Sequence, residues 1–261
     1  MHLRSHPVVP VLLLYCAVFA LSADASARAT AKAADGPVAA ATPSIDSILN
    51  GYIEALGGEA ALKKQSTRVS LGTVEIPTER LHGTILIHEK APNKTLQVVI
   101  VAGVAYRQGF DGTVGWTDDP QNGPQEISGA QLEEAARDAD FFSPLHLREL
   151  YAKLSFVGMQ KVGNEDVYAV EGALPQVEVP DKIYFSAKSG LLIRLVSLRH
   201  AADGPSVLQE DFGDYRAVDG VQEPFTIIQS GGSQGDMIVR IDQTRFDVEL
   251  DDDEFAKPEF P

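Results

Sequence analysis

From about residue 69 to residue 246, short apolar stretches are separated by turn signals every 8 to 15 residues or so. Alternation of apolar and polar side chains marks a half-buried strand, and a reversal needs residues such as Gly, Asn or Asp. The clearest strands are 84–88, 96–101, 104–108, 114–117, 167–171, 182–186, 191–198, 207–216, 225–230 and 237–247. Turns at Pro92-Asn93, Gly103, Asp111-Gly112, Lys188-Ser189-Gly190, Asp219-Gly220 and Gly231-Gly232 divide them. These connections are too short for crossovers, so the pairing is antiparallel, with about ten to twelve strands.

One face of that sheet must be covered. Met237, Val239 and Ile241 share a side, opposite Arg240, Asp242 and Thr244. Leu96, Val98 and Ile100 alternate in the same way, but Val99 and Val101 make their other face apolar too. A strand that is apolar on both sides has something packed on each. This predicts an α+β fold, a single strongly curved antiparallel sheet that holds helices on its inner face.

Two regions supply the helices. Thr42 is placed to cap a helix with Pro43 in its first turn. Ile45, Ile48, Leu49, Tyr52, Ile53 and Leu56 follow at helical spacing, and Gly57-Gly58 ends the run. A second turn of helix is predicted over 59–64. The strand rhythm breaks once, at 129–153, where Leu132, Ala135, Ala136 and Ala139 keep helical spacing. Pro144 then begins a further helical stretch carrying Leu145, Leu147, Leu150 and Tyr151.

The chain opens with Arg4, an apolar run over 8–21, and the small-residue patterns Ala23-Asp24-Ala25 and Ala25-Ser26-Ala27. This is the pattern of a secretory signal peptide, assigned to 1–25. Pro10 breaks the run, which is shorter than the roughly 20 residues a membrane span requires. Cys16, the only cysteine, lies inside this segment, so the mature chain is expected to have no thiol or disulfide. The Ala-rich segment 26–42 reads as a flexible linker, and 43–261 as one folded domain. The expected location is periplasmic or otherwise exported, with no stable membrane span once the signal is cleaved.

Cleavage removes Arg4 and Asp24 together and leaves the net charge at −15. Clustered Lys and Arg are missing, which argues against nucleic acid as a partner. Export away from nucleotide pools argues against an energy-dependent enzyme, and no cofactor is expected. The run Asp251-Asp252-Asp253-Glu254 lacks the spacing and central glycine of a calcium loop and is read as a solvated turn.

Most isolated chemical signals have plainer readings. Gly231-Gly232-Ser233-Gln234-Gly235 matches a hydrolase nucleophile elbow, but that motif needs a helix after the serine and here a strand follows. It is read as a hairpin turn, and no catalytic residue is assigned. His82, His88, His146 and His200 lack ligand spacing, so no metal is expected. Asn93-Lys94-Thr95 has the form of a glycosylation sequon and is treated as a turn.

Asp140-Phe141-Phe142-Ser143 is more informative. Adjacent residues at a helix end point about 100° apart, so both rings do not bury in one seam and one is free to line a cavity. Trp116, the single tryptophan, faces either the core or a ligand. The candidate ligand-binding residues of a hydrophobic cavity are Trp116, Phe141, Phe142 and Leu150.

Three stretches resemble the periplasmic outer-membrane lipoprotein carrier and lipoprotein-sorting family. They are Tyr52-Ile53-Glu54-Ala55-Leu56-Gly57-Gly58 with Ala61-Leu62, Asp214-Tyr215-Arg216-Ala217-Val218-Asp219-Gly220-Val221 with Pro224-Phe225, and Phe255-Ala256-Lys257-Pro258. The resemblance implies an unclosed half-barrel with helices over its concave face, enclosing an apolar cavity that accepts acyl chains. It also implies a gating arginine, for which Arg68, Arg80 and Arg107 are all placed in early strands. The function expected is a non-enzymatic exported carrier or sensor whose partner is a lipid or an acylated protein. The alternative is a periplasmic protein–protein interaction module with a filled core.

Overall fold

Ser44, rather than Thr42, caps the first helix. Its hydroxyl accepts a hydrogen bond from the Ser47 backbone N–H at 3.1 Å, and Pro43 precedes the cap instead of opening the helix. Helix α1 (Ile45–Ala55) buries Ile48, Leu49 and Tyr52. A short α2 (Glu59–Lys64) follows, where the sequence predicts it. The computed structural model describes residues 42–259 apart from 176, 202–203 and 232–235. The expectations for the signal peptide, Cys16, nearly all of the linker and Ser233 lie outside the described residues.

The strands are β1 (Thr67–Ile76), β2 (Leu81–Lys90), β3 (Lys94–Val101), β4 (Val104–Phe110), β5 (Gly115–Asp119) and β6 (Gly123–Glu126). After α3 (Ala130–Asp138) and α4 (Ser143–Leu150) come β7 (Lys153–Val162), β8 (Glu165–Ala173), β9 (Asp181–Ser186) and β10 (Leu192–Ala201). The last three are β11 (Gly204–Val218), β12 (Val221–Gly231) and β13 (Met237–Phe246). Among the described residues the count is thirteen, against an expected ten to twelve, because β1, β6 and β7 join the strands legible in the sequence.

All thirteen belong to one sheet of order β6-β5-β4-β3-β2-β1-β13-β12-β11-β10-β9-β8-β7, antiparallel at every step. Neighbours in the sheet are consecutive in sequence except where β13 returns to β1. The sheet does not close, and its two free edges, β6 and β7, are consecutive along the chain. The segment that joins them must cross from one edge to the other, and it is the segment that forms α3 and α4. This is the physical reason the strand rhythm breaks once.

Tight hairpins make the meander possible. Between β11 and β12 both Asp219 and Gly220 have positive φ, 49° and 91°, as the reversed turns that match strand twist require. Two main clusters fill the inner face. Val74, Ile85, Val99, Phe225 and Val239 pack at the centre of the sheet, while α1 packs with Tyr151, Val170, Ile183 and Phe185. The Tyr52 and Phe185 rings lie 5.1 Å apart.

The acidic run near the C-terminus is more than a solvated turn. Asp252–Phe255 forms a 3-10 turn, and Asp252 pairs with both Lys90 at 2.8 Å and Lys94 at 2.9 Å. Hydrogen bonds from these two lysines draw its carboxyl down to about 2. Phe255 is fully buried beneath the turn.

Candidate functional site

Inward-facing positions on successive strands are set by the two-residue period of the pleat. On β2 they run Leu81, Gly83, Ile85, Ile87 and Glu89; on β1, Arg68, Ser70, Gly72, Val74 and Ile76. The apolar ends of these rows fill the core. Their other ends, with Ile87, Glu89, Arg68 and Ser70, border a cavity of about 370 Å³ between the sheet and the helices. Ile183, Phe185, Leu192 and Leu195 of the β9–β10 hairpin extend the wall, and Tyr52 and Leu56 of α1 contribute from the helical side.

Helix α4 supplies Leu145, Leu147 and Leu150. None of its residues is fully buried, although its apolar side faces the protein. Phe141 and Phe142 stand at the break between α3 and α4, their rings edge to face at 5.2 Å, and both border the cavity.

Of the four residues predicted to line a hydrophobic cavity, Phe141, Phe142 and Leu150 are placed together on its wall. Trp116 is placed elsewhere. Its ring is 1% exposed, and its indole N–H donates to the Phe255 carbonyl at 2.8 Å, so it closes the core beneath the C-terminal turn. Sequence reasoning could not separate these two roles because a core strand and a cavity strand share the same alternation.

Sequence reasoning named Arg68 as one of three candidate arginines but missed the carboxylates that hold it on the wall. Arg68 donates to both oxygens of Glu89, at 2.5 and 2.7 Å, and to both oxygens of Glu223, at 2.8 and 2.9 Å. Burial works against its charge, but Glu223 and Glu89 outweigh that and hold its pKa above the ordinary value. For Glu223, burial is the larger influence and the carboxyl is pushed up despite Arg68. The guanidinium also lies 6.0 Å from the centre of the Phe141 ring. Of the three candidate arginines, Arg68 on β1 borders the cavity, Arg107 lies on β4 away from it, and Arg80, expected in a strand, falls instead in the β1–β2 turn with φ 56°. The available signal is a charged residue in an inward row, such as Glu223 between Val221 and Phe225.

A second polar group lies under α3. Tyr151 donates its hydroxyl to Asp181 Oδ2 at 2.9 Å. Burial pushes the Asp181 carboxyl up to about 6, against the pull of Tyr151 and of Arg137 and Arg199. Asp138 of α3 accepts from Arg199 of β10 at 2.8 Å. Glu134 accepts from the His200 backbone N–H at 3.1 Å and contacts Nδ1 of its ring at 2.8 Å. Helix α3 is thereby fastened to β10 at two points one turn apart. Helix α4 has a lighter attachment, an exposed ion pair from Arg148 to Asp46 of α1.

His88 and His146 each pair with a carboxylate, Glu254 and Asp140. Ser233 lies outside the described residues, but β12 before it and β13 after it are paired antiparallel strands, not the strand and helix of a nucleophile elbow. Among the described residues no helix is long and apolar enough to cross a membrane.

No family model and no curated protein matches the sequence. Solved structures do match the fold. A LolA superfamily protein from Nitrosomonas europaea superposes with a TM-score of 0.54 at 14% identity, covering 83% of this chain and 99% of that one. A DUF1329 family protein from Desulfovibrio piger gives a TM-score of 0.54 at 14% identity, covering 82% of this chain and 98% of that one. The chain therefore shares its fold with these two structures. Identity this low speaks for the architecture alone.

Proposed function

We propose that this protein is an exported, non-enzymatic carrier or sensor that binds the acyl chain of a lipid or an acylated protein between the curved sheet and α4. The observation that carries the reading is the cavity of about 370 Å³ bordered by α4 leucines that are left half-buried. That volume is in the usual range of ligand pockets, about 300–1,000 Å³. Burying an acyl chain contributes about 0.8 kcal/mol per methylene, so a dozen carbons supply roughly 10 kcal/mol before ordering costs. The signal-peptide pattern and the LolA-superfamily fold are consistent with a periplasmic location.

In this reading α4 is the lid. It hinges at the break that holds Phe141 and Phe142, while α3 stays fastened to β10. Arg68 is the natural candidate for the gating arginine, since it pairs with Glu89 and Glu223 and faces the Phe141 ring.

A neutral fluorescent dodecanoyl amide is a suitable probe. It should bind the mature protein, and Ile227→Trp, which fills the cavity wall, should weaken it at least tenfold while circular dichroism is unchanged. Equal binding by the filled variant, or binding no better than to an unrelated β protein, overturns the reading. One observation favours an interaction module instead. Val157 and Met159 on the free edge strand β7 are 51% and 53% exposed. An open edge of this kind accepts an added strand, but a filled core is not what the cavity suggests.

A further inference from the structure

The cavity wall carries eight side chains of arginine, aspartate and glutamate. Arg68, Arg137 and Arg199 face five carboxyl groups, those of Glu89, Asp138, Asp181, Glu210 and Glu223. Each arginine is already engaged. Arg68 is held by Glu89 and Glu223, Arg199 by Asp138, and Arg137 lies 3.9 Å from Asp138. An incoming anion finds no uncommitted cation on this wall and meets an excess of carboxyl groups. Desolvating a charge without a partner costs several kcal/mol.

Two polar groups on the same wall are underused. Gln65 is 3% exposed, and neither its side-chain oxygen nor its nitrogen has a hydrogen-bond partner among the described residues. Asp181 is also 3% exposed, with Oδ2 bonded to Tyr151 and Oδ1 without a partner among the described residues. A buried amide that makes no bond is unfavourable, because it has given up its hydrogen bonds to water. The Gln65 backbone N–H donates to the Leu62 carbonyl at 3.3 Å. A side chain with a free donor and a free acceptor, facing an apolar cavity, suits a group that offers both in return.

Building on the carrier reading above, we propose that the cavity selects acyl ligands with a neutral head that both donates and accepts hydrogen bonds, an amide or a hydroxyl, and rejects the free carboxylate of the same chain length. Gln65 pairs with the head. The carboxyl excess supplies the rejection.

The test compares three probes of equal chain length on the full mature protein at pH 8.5, dodecanamide, dodecanoate and dodecylamine, by isothermal titration calorimetry. The amide should bind at least tenfold tighter than dodecanoate. Gln65→Leu should weaken the amide fivefold or more and leave dodecanoate nearly unchanged, with its melting temperature no lower than that of the parent. Asp181→Asn should narrow the gap by strengthening dodecanoate. Dodecanoate binding as tightly as the amide, the amine binding tightest of the three, or an amide affinity indifferent to Gln65→Leu overturns the selectivity and leaves the carrier reading standing. If none of the three binds, both are overturned.

Discussion

Gly57, at the end of the first helix, lies directly against the carbonyl of Gly220 in the β11–β12 hairpin. A Cβ at Gly57 would stand 2.1 Å from that oxygen, and its φ is +118°. Beside this contact the Gln222 backbone N–H donates to the Leu56 carbonyl at 2.9 Å. Two of the stretches that carry the family resemblance, far apart in sequence, are thus one packed joint.

Gly57→Ala should therefore cost about 2–4 kcal/mol, since left-handed strain and a backbone clash act together. Gly220 has a positive φ but open space around it. Gly220→Ala should cost only about 1–2 kcal/mol. Urea unfolding of the two variants checks the order; equal losses would mean that the joint is looser than described.

Arg68 offers a second test. Arg68→Ala leaves Glu89 and Glu223 facing each other without a cation, and should lower stability by about 2–3 kcal/mol, less than for a fully buried pair because the site is partly exposed. Adding Glu89→Gln and Glu223→Gln to that variant should recover most of the loss. Failure of the triple variant to recover would show that packing by the Arg68 stem, not charge, is what the site needs.

Asp181 makes stability depend on pH in a stated direction. Burial holds its carboxyl at about 6 when folded, above the ordinary aspartate value of 3.8, so the folded state favours the protonated form. The penalty is in force above pH 6 and disappears as pH falls through 6 towards 4. Asp181→Asn should be more stable than the parent at pH 7.5, by at most about 3 kcal/mol, with the difference fading by pH 4. A difference that grows on acidification would reverse the assignment.

Trp116 reports on the core and not on the cavity. Its emission should be that of a buried indole and should not move when an acyl probe binds. Phe255→Ala should shift it to the red and cost about 3–5 kcal/mol, the usual loss for a buried Phe.

The strands that sequence reasoning passed over explain why it did so. In β1 the inward row begins with Arg68 and Ser70, because that end faces the cavity and not the core, and the alternation fades there. The four residues of β6 include no large apolar side chain. Edge strand β7 exposes Val157 and Met159, blurring its pattern. Phe141, Phe142 and Leu150 stand out in the sequence because a helix break and a proline draw attention to them. Arg68 and Glu223 are 155 residues apart and meet only when β13 returns to β1, which no local pattern encodes.

The most direct test of the carrier account is native mass spectrometry of the mature protein taken from its exported compartment. The account predicts a copurifying mass, that of a lipid or of an acylated protein, that is released on denaturation and is missing from Ile227→Trp. A bare chain that also takes up no added acyl ligand would contradict it.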